Sequence, residues 1–276
     1  MSAGRASTTE RTRFINPRSG SESSKTTRKE SVNMPALAEL PLRFREFSAE
    51  HPLSTARLAR QIYHDRLFQG RIKKEEKAVA NLERIIRAVL RLSQKQGFAA
   101  MSLRDLSREA EMSMGGLYAY FDSKEELLRM IFERGQRTVL EIFDELMISF
   151  AAADVKLQAA ICAHLYLSEA FPKIFYFFFM EAKGLTHEDQ RRSIVLEQST
   201  ELIFASIIEE GVQTGVFHCE NPLMTAAMIK ALLQDWYLKR YKYVRRKISV
   251  EHYATQVLNL VIPYLKQHRS GYSSIS

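Results

Sequence analysis

Apolar residues recur at three- and four-residue intervals along most of the chain, which is the spacing of one buried face of an α-helix. One stripe predicts a helix over 75–96 that Gly97 ends, and its members are Leu82, Ile85, Ile86, Val89 and Leu92. Another predicts a helix over 124–149, and its members are Leu127, Met130, Ile131, Val139, Ile142, Phe143 and Leu146. Two shorter helices are expected between them, over 102–110 and 113–120.

The helical pattern continues through the second half of the chain. The further predicted helices cover 154–169, 171–184, 187–211, 222–244 and 249–268. We find no alternating strand pattern of useful length and no internal repeat. The sequence therefore predicts an all-α fold.

The N-terminal region has a different composition. Residues 1–33 are rich in Ser and Thr and carry seven Lys or Arg against three Glu, and proline interrupts the pattern over 34–53. We therefore expect a disordered basic N-terminal extension over 1–53, and favour a solvated tail over an arm that tracks DNA phosphates. The spacing of Leu58, Ile62 and Leu67 predicts an extra helix over 54–70. Residues 269–276 are expected to form a disordered tail.

Composition narrows the class of protein. The 276 residues are 46% hydrophobic, enough for a core, and carry 40 Lys+Arg against 32 Asp+Glu, a net charge of +8. This basic excess favours nucleic acid or an acidic membrane surface as partner. Two cysteines, Cys162 and Cys219, exclude a disulfide scaffold and fit a reducing cytoplasm. No apolar run approaches a membrane span or a signal peptide, so we expect a cytoplasmic protein.

The two short helices have the layout of a helix-turn-helix unit, in which one short helix enters the major groove. The segment 113–116, Ser-Met-Gly-Gly, begins the second of them and lets the backbone approach DNA closely. Leu117 and Phe121 are placed to anchor this helix inward, while the hydroxyls of Tyr118 and Tyr120 are expected to reach phosphates. The pattern indicates a DNA-binding function.

The segments 101–110 and 113–127 closely resemble the TetR family of bacterial transcriptional regulators. The resemblance covers 75–149 well, and 150–268 only in helical layout, length and a few positions. It implies a helix-turn-helix DNA-binding domain over 71–122 and a helical effector-binding and dimerisation domain over 123–268. It also implies a homodimer that binds pseudo-palindromic double-stranded operator DNA, as a repressor released by a small hydrophobic effector.

The resemblance assigns DNA contacts position by position. The residues expected to contact DNA are Arg71, Lys73, Lys74, Ser102, Arg104, Ser113, Met114, Gly115, Gly116, Tyr118, Tyr120 and Lys124. Arg104 is placed to read a guanine edge. Two departures stand out: Glu111 replaces the usual turn glycine, and Gly116 replaces a threonine. Discrimination is therefore expected to depend on Arg104, Tyr118, apolar contacts and DNA shape.

The second half of the chain is rich in aromatic residues. The block over 171–180 carries them on nearly every face of a helix. One packed side cannot bury them all, so this helix needs two burial partners, such as the core and a second subunit or the core and a ligand cavity. The resemblance implies an effector cavity lined by Tyr166, Phe175, Phe178, Phe179, Phe204 and Trp236. It implies a dimer interface formed by Ile229, Leu232, Leu233, Val257, Leu260 and Tyr264. Three short segments, 181–182, 209–217 and 236–237, resemble the subgroup of the family that responds to acyl-CoA or fatty-acid-like effectors. Arg191, Arg192, Lys239, Arg240 and Lys242 are candidate partners for an effector's charged group, although a plain surface charge is favoured for each.

The sequence gives little support for a catalytic or a metal-binding function. The seven His residues are dispersed without a metal-binding spacing, and no nucleophile–base motif or cofactor-binding glycine motif occurs. We therefore expect no metal, no cofactor and no enzyme. One alternative stays open: a helix-turn-helix protein that acts through protein partners or nucleoid binding, without a small-molecule effector, and uses the segment before the first helix of the DNA-binding domain for interaction.

Overall fold

The computed structural model describes residues 41–65, 74–181 and 187–267, with the side chains of 187–197 excepted. Regular structure within these ranges is entirely helical, which confirms the predicted all-α fold. The helices are α1 Phe44–Glu50, α2 Thr55–Asp65, α3 Glu75–Gln96, α4 Leu103–Glu109, α5 Met114–Tyr118, α6 Lys124–Ser149, α7 Ala153–Ala170, α8 Pro172–Glu181, α9 His187–Gln213, α10 Pro222–Leu238, α11 Arg240–Arg245 and α12 Val250–Lys266.

Two hydrophobic cores organise the helices. The first joins α2 to α5 with the N-terminal half of α6, and the second joins α1, the C-terminal half of α6, α7, α9, α10 and α12. Helix α6 is shared, because Leu127 and Ile131 lie in the first core while Ile142 and Phe143 lie in the second. A rigid helix that carries apolar side chains into both cores ties the two parts of the molecule together.

Helix α8 is the second shared element. Ile174 and Phe177 are buried in the first core, whereas Phe175 and Phe179 pack against the second. This arrangement gives the aromatic block over 171–180 the two burial partners that its all-round apolar pattern requires.

The expectation of a disordered extension over 1–53 is wrong for residues 44–50, which form α1. Phe47 is buried in the second core, where it packs with Phe44 against the ring of Tyr166. The Tyr166 hydroxyl donates to the Leu42 carbonyl at 3.0 Å. A helix of seven residues is too short to show a periodic apolar pattern in the sequence. Tertiary contacts stabilise it. Residues 1–40 and 268–276 lie outside the described residues.

Helix α2, Thr55–Asp65, lies within the predicted extra helix over 54–70, of which residues 66–70 lie outside the described residues. Its face of Leu58, Ala59 and Ile62 is buried against α3 in the first core. The Thr55 hydroxyl donates to the Glu83 carboxylate at 2.9 Å, and Arg87 donates to Thr55 at 3.1 Å. On its other side α2 meets α6, where the Thr138 hydroxyl lies 3.3 Å from the Gln61 side-chain oxygen. Helices α1 and α2 therefore attach the segment before α3 to both cores.

Candidate nucleic-acid interface

Helix α4 is fixed by a reciprocal cap at its first turn. The Ser102 hydroxyl accepts from the Asp105 backbone N–H at 3.1 Å, and the Asp105 carboxylate accepts from the Ser102 backbone N–H at 3.1 Å. The hydrogen bond from the Ser102 side chain lowers the pKa of Asp105, with a smaller contribution from Arg108. Ser102 and Arg104 are exposed on this turn, while Leu106 is buried beneath it.

The turn between α4 and α5 places Glu111 in the left-handed region, at φ 51°. This is the strained conformation that the absence of glycine at this position leads us to expect. Arg84 of α3 donates to the Glu111 carbonyl at 2.8 Å. The Met112 N–H donates to the Ser107 carbonyl at 2.9 Å and closes the turn. These two hydrogen bonds hold the turn in this conformation.

Helix α5 presents a small, open face. Ser113 caps it by accepting from the Gly116 N–H at 3.1 Å, and Leu117 anchors it in the core. A Cβ placed on Gly115 would meet nothing within 4 Å, and Tyr118 is 46% exposed. Together with Ser102 and Arg104, this face forms an exposed surface of small and polar groups that a duplex can approach.

Some of the predicted DNA-contacting residues lie elsewhere. Arg71 and Lys73 fall outside the described residues, and Lys74 is exposed at the start of α3. Met114 and Gly116 are partly buried, and Met114 packs against the first core. The assignment of Tyr120 to a phosphate is contradicted by its burial: the ring lies in the first core, and its hydroxyl accepts from Asn81 at 2.9 Å.

Lys124 has a structural environment that differs from the expected phosphate contact. Its ammonium group donates to the carbonyls of Ala99 at 3.0 Å, Met101 at 3.1 Å and Phe98 at 3.3 Å. It also lies 5.2 Å from the centre of the Phe98 ring. Since these groups satisfy the three donors of a lysine, Lys124 fastens the segment between α3 and α4 to the start of α6.

Three polar side chains that were not predicted from the sequence hold the unit together. Asn81 positions Tyr120, Arg84 braces the Glu111 turn, and Glu181 of α8 accepts from the buried Phe98 N–H at 3.0 Å. A hydrogen bond between groups 83 residues apart leaves no periodic signal in the chain. Glu181 matters most, because it connects the aromatic helix α8 directly to the DNA-binding unit.

The predicted effector residues divide into two groups. Phe175 and Phe178 line a small cleft between α2, α6 and α8, named here the α2–α6–α8 cleft. Tyr166, Phe204 and Trp236 are instead core residues: Phe204 is fully buried, and the Trp236 indole N–H donates to Glu169 at 3.2 Å. Phe179 packs towards Tyr237, with ring centroids 6.5 Å apart. The apolar pattern of the sequence predicted that these residues are buried, but it could not distinguish core residues from residues that line the cleft.

The cationic candidates for an effector's charged group are paired within the protein where the structure describes them. Lys239 and Lys242 both contact the Asp235 carboxylate, and Arg240 contacts Glu169. The predicted helix over 222–244 is interrupted at Lys239, which separates α10 from α11. The side chains of Arg191 and Arg192 lie outside the described residues.

The predicted dimer residues also divide. Ile229, Leu233 and Val257 are at most 4% exposed within a single protomer, so their assignment to an interface is wrong. Leu260 is 62% exposed, Tyr264 is 46% exposed, and Leu232 is partly buried. Three apolar residues of α10 that the sequence analysis did not select are also exposed: Leu223, Met224 and Met228. An apolar surface on the last long helices therefore remains, formed by a different set of side chains.

The rest of the described structure adds two findings. The described residues include no group of three or more His, Cys, Asp or Glu side chains placed to hold a metal ion. None of the helices in these ranges has the length and apolar character needed to cross a membrane. The capped α4, the strained turn and the open face of α5 define a helix-turn-helix DNA-binding unit on a larger helical body.

Comparison with known proteins identifies the family. Residues 85–131 match the family model "Bacterial regulatory proteins, tetR family", and residues 150–239 match "Tetracyclin repressor-like, C-terminal domain". The transcriptional regulator YfiR of Bacillus subtilis (strain 168), of the HTH type, is 24% identical over 184 residues, which cover 63% of this chain and 85% of YfiR. The chain belongs to the TetR family and is a DNA-binding transcriptional regulator.

Solved structures share the fold. A TetR-family regulatory protein from Rhodococcus RHA1 is 23% identical, with a TM-score of 0.58 over 66% of this chain and 95% of that chain. The regulator FadR from Bacillus subtilis, crystallised in complex with stearoyl-CoA, is 20% identical, with a TM-score of 0.56 over 66% of this chain and 98% of that chain. At these identities the likeness concerns the fold alone.

Proposed function

We propose that this regulator is a homodimeric repressor that binds a pseudo-palindromic operator through the exposed faces of α4 and α5. The observation that carries the proposal is the surface formed by Ser102, Arg104, Gly115 and Tyr118, held on a rigid first core. Its small residues permit close approach to the duplex, and Arg104 supplies the donor for a base edge. Such a protein works in the cytoplasm, at the nucleoid that carries its operator.

A dimer is required because one five-residue recognition helix contacts too few bases to select a site, whereas two copies read two half-sites one helical turn apart. The exposed apolar side chains of Met224 and Met228 on α10, and of Leu260 and Tyr264 on α12, support self-association. Paired helices from two protomers would bury them in a four-helix interface.

We further propose that a small apolar effector lowers operator affinity. Helix α6 supports this mechanism, since it starts at Lys124 beside the DNA-binding helices and carries Gly135 and Val139 into the wall of the α2–α6–α8 cleft. An effector that prefers one tilt of α6 changes the separation of the two recognition helices. The apolar lining suits an acyl chain. The stearoyl-CoA bound to FadR is a property of that protein, and gives a first compound class to assay here.

The alternative, action through protein partners by way of the N-terminal segment, receives less support. Helices α1 and α2 bury Phe47, Leu58 and Ile62 inside their own chain. Residues 41–65 therefore contribute to the protomer's own hydrophobic cores.

The test is to select sheared genomic DNA of the source organism on the full-length protein and to footprint the recovered fragments. We expect protection of a two-fold symmetric site whose half-sites are about 10 base pairs apart, and dimer mass by light scattering. Equal affinity for the recovered site and a scrambled duplex would contradict the proposal. So would a strictly monomeric protein.

A further inference from the structure

We propose that helix α11 and the basic residues directly after it contact the DNA backbone between the two half-sites of the operator. This contact is separate from the one made by α4 and α5, and it carries no sequence information. The proposal rests on the proposed DNA-binding homodimer. Helix α11, Arg240–Arg245, begins directly after the segment 150–239 that matches the C-terminal family model, so the assignment depends on this chain's own residues.

The segment 239–247 carries an uncompensated positive charge. Six of its nine residues are Lys or Arg, and none is acidic. Three of the six pair with carboxylates of neighbouring helices. The other three, Arg245, Arg246 and Lys247, are exposed, and no carboxylate within the described ranges forms an ion pair with them. Each protomer therefore presents three unpaired cations to solvent, which favours a polyanion as partner.

Contacts with the second core hold α11 in place. The buried Tyr243 ring stacks on the Trp236 indole of α10, with ring centroids 5.0 Å apart, and the Tyr253 ring of α12 packs against it at 4.8 Å. The Tyr243 hydroxyl donates to the Asp235 carboxylate. The exposed arginines are thus carried by an ordered element, so a contact with DNA costs less conformational entropy than one made by a free tail.

Helix α11 lies at the end of the second core that is next to the DNA-binding unit. Helix α7 ends on this side, because Phe171, directly after it, packs against the first core. Near that end, Glu169 accepts from the Trp236 indole N–H at 3.2 Å and from the Arg240 guanidinium at 3.1 Å. The end of α10 and the start of α11 are therefore close to the first core, which carries α4 and α5.

Helix α12 leads from α11 to the opposite end of the second core. It starts at Val250, and at its other end Lys266 pairs with Asp154, in the first turn of α7, at 2.6 Å. Since α7 has 18 residues, its two ends are roughly 27 Å apart. The basic segment is therefore on the side of the DNA-binding unit, and Lys266 is on the far side.

The proposed dimer places two copies of α11 near its two-fold axis. Helix α11 joins α10 to α12, the helices whose exposed Met228 and Leu260 support self-association. The two-fold axis of such a dimer passes between the two half-sites of the DNA. Each copy of 239–247 therefore faces the phosphates between the half-sites. Tyr241, which is 75% exposed, adds a hydroxyl donor to this surface.

The experiment measures operator affinity of the full-length protein by fluorescence anisotropy, from about 0.05 to 0.3 M salt. The variant is Arg245→Gln/Arg246→Gln. The matched control is Arg137→Gln/Lys266→Gln, which removes the same charge from partly exposed positions on α6 and at the far end of α12. We expect the slope of log K against log salt to become shallower by about 3 to 4 in the variant, because two contacts in each protomer contribute about 0.9 each. The control should keep the wild-type slope.

Three further measurements define the contact. Arg245→Lys/Arg246→Lys keeps both charges and should keep the slope. The Gln variant should lose a similar share of its affinity for a scrambled duplex, since a phosphate contact does not depend on sequence. Methylphosphonates in place of the phosphates between the half-sites should weaken the wild type and leave the Gln variant unaffected.

Several outcomes would overturn the proposal. Light scattering and circular dichroism first establish that each variant is a folded dimer. An unchanged slope in the Gln variant then removes the contact and leaves the regulator, and an equal decrease in the control reduces the effect to net charge. A wild type that tolerates the central methylphosphonates removes the placement between the half-sites. If no symmetric operator is selected, but the slope on a scrambled duplex still falls in the Gln variant, the proposed function fails while the backbone contact stands.

Discussion

The Glu181 carboxylate accepts a hydrogen bond from the backbone N–H of Phe98 at 3.0 Å, and so joins the end of α8 to the segment between α3 and α4. Both groups are buried. The same segment receives the Lys124 ammonium on its carbonyls. Glu181 and Lys124 therefore join α8 and α6 to the turn that precedes α4.

Replacement of Glu181 tests this connection. Glu181→Leu leaves the buried Phe98 N–H without its acceptor, and we expect the free energy of unfolding at pH 7 to fall by about 1–3 kcal/mol. Glu181→Gln keeps a side-chain oxygen in place and serves as the matched control. Denaturant unfolding of both variants gives the comparison, and equal stability of the two would show that the hydrogen bond contributes nothing.

The pH dependence of the Glu181→Gln variant follows from the same site. Burial raises the pKa of the Glu181 carboxyl, against the opposing effects of the Phe98 N–H and Lys124. The folded state therefore holds the proton more tightly than the unfolded state, so wild-type stability declines as pH rises through the carboxyl's ordinary range up to the raised pKa. Glutamine does not titrate, and we expect the variant to gain stability relative to wild type over this window. A difference that is constant between pH 4 and 7 would contradict the assignment.

The turn before α5 offers a stabilising substitution. Glu111 holds φ at 51°, a conformation that costs a non-glycine residue roughly 1–2 kcal/mol. We expect Glu111→Gly to raise the free energy of unfolding by about 1 kcal/mol, because it removes this strain and loses only an exposed contact with Arg84. Thermal unfolding measures the change. Glu111→Ala, which removes the carboxylate and keeps the strain, is the control and should not be stabilised.

A substitution of Lys124 distinguishes a structural role of this residue from a DNA-contacting role. We expect Lys124→Met to lower the free energy of unfolding by about 1.5–3 kcal/mol, because three carbonyls lose a charged donor. The dependence of operator affinity on salt should keep its slope, since a phosphate contact would contribute about 0.9 to it. Lys95→Met, at an exposed position of α3, should leave stability nearly unchanged. A smaller salt slope with intact stability would restore the phosphate assignment made from the sequence.

The elements that the sequence predicts well are those whose signals are local. The bounds of α3 and α6 agree with prediction at both ends, because long apolar stripes are closed by Gly97 and capped by Ser123. Helix α1 is missed because seven residues carry barely two turns, and its stability comes from Tyr166, more than a hundred residues away.

Side-chain direction is the part that the sequence could not supply. In the five-residue α5 region, the direction of Tyr120 depends on Asn81 of another helix. On α10 and α12 the apolar residues surround much of each helix, and the internal core takes Ile229 and Val257 while Met228 and Leu260 remain outside. Periodicity identifies apolar faces, but only packing decides which of two faces is covered by the protomer itself.

The exposed apolar surface of α10 and α12 predicts the effect of a charge placed there. We expect Met228→Asp and Leu260→Asp to convert dimers to monomers and to reduce operator affinity severely, because a buried unpaired carboxylate opposes association. Light scattering reports the mass, and circular dichroism confirms folding. Ile148→Asp, on an exposed residue at the end of α6, is the control and should remain dimeric. A dimer that persists in both variants would place the interface elsewhere.

Arg104 carries the last prediction, which concerns base recognition. It is exposed on the first turn of α4, beside the Ser102 cap, and the described structure pairs it with no carboxylate. We expect Arg104→Ala to weaken binding to the selected operator by about 1–3 kcal/mol and to affect a scrambled duplex far less, because a base-edge contact exists only on the correct sequence. Arg108→Ala, an exposed arginine at the other end of α4 that pairs with Asp105, is the matched control. Equal losses on operator and scrambled DNA would make Arg104 a phosphate contact, and discrimination would then depend on Tyr118 and on the shape of the duplex.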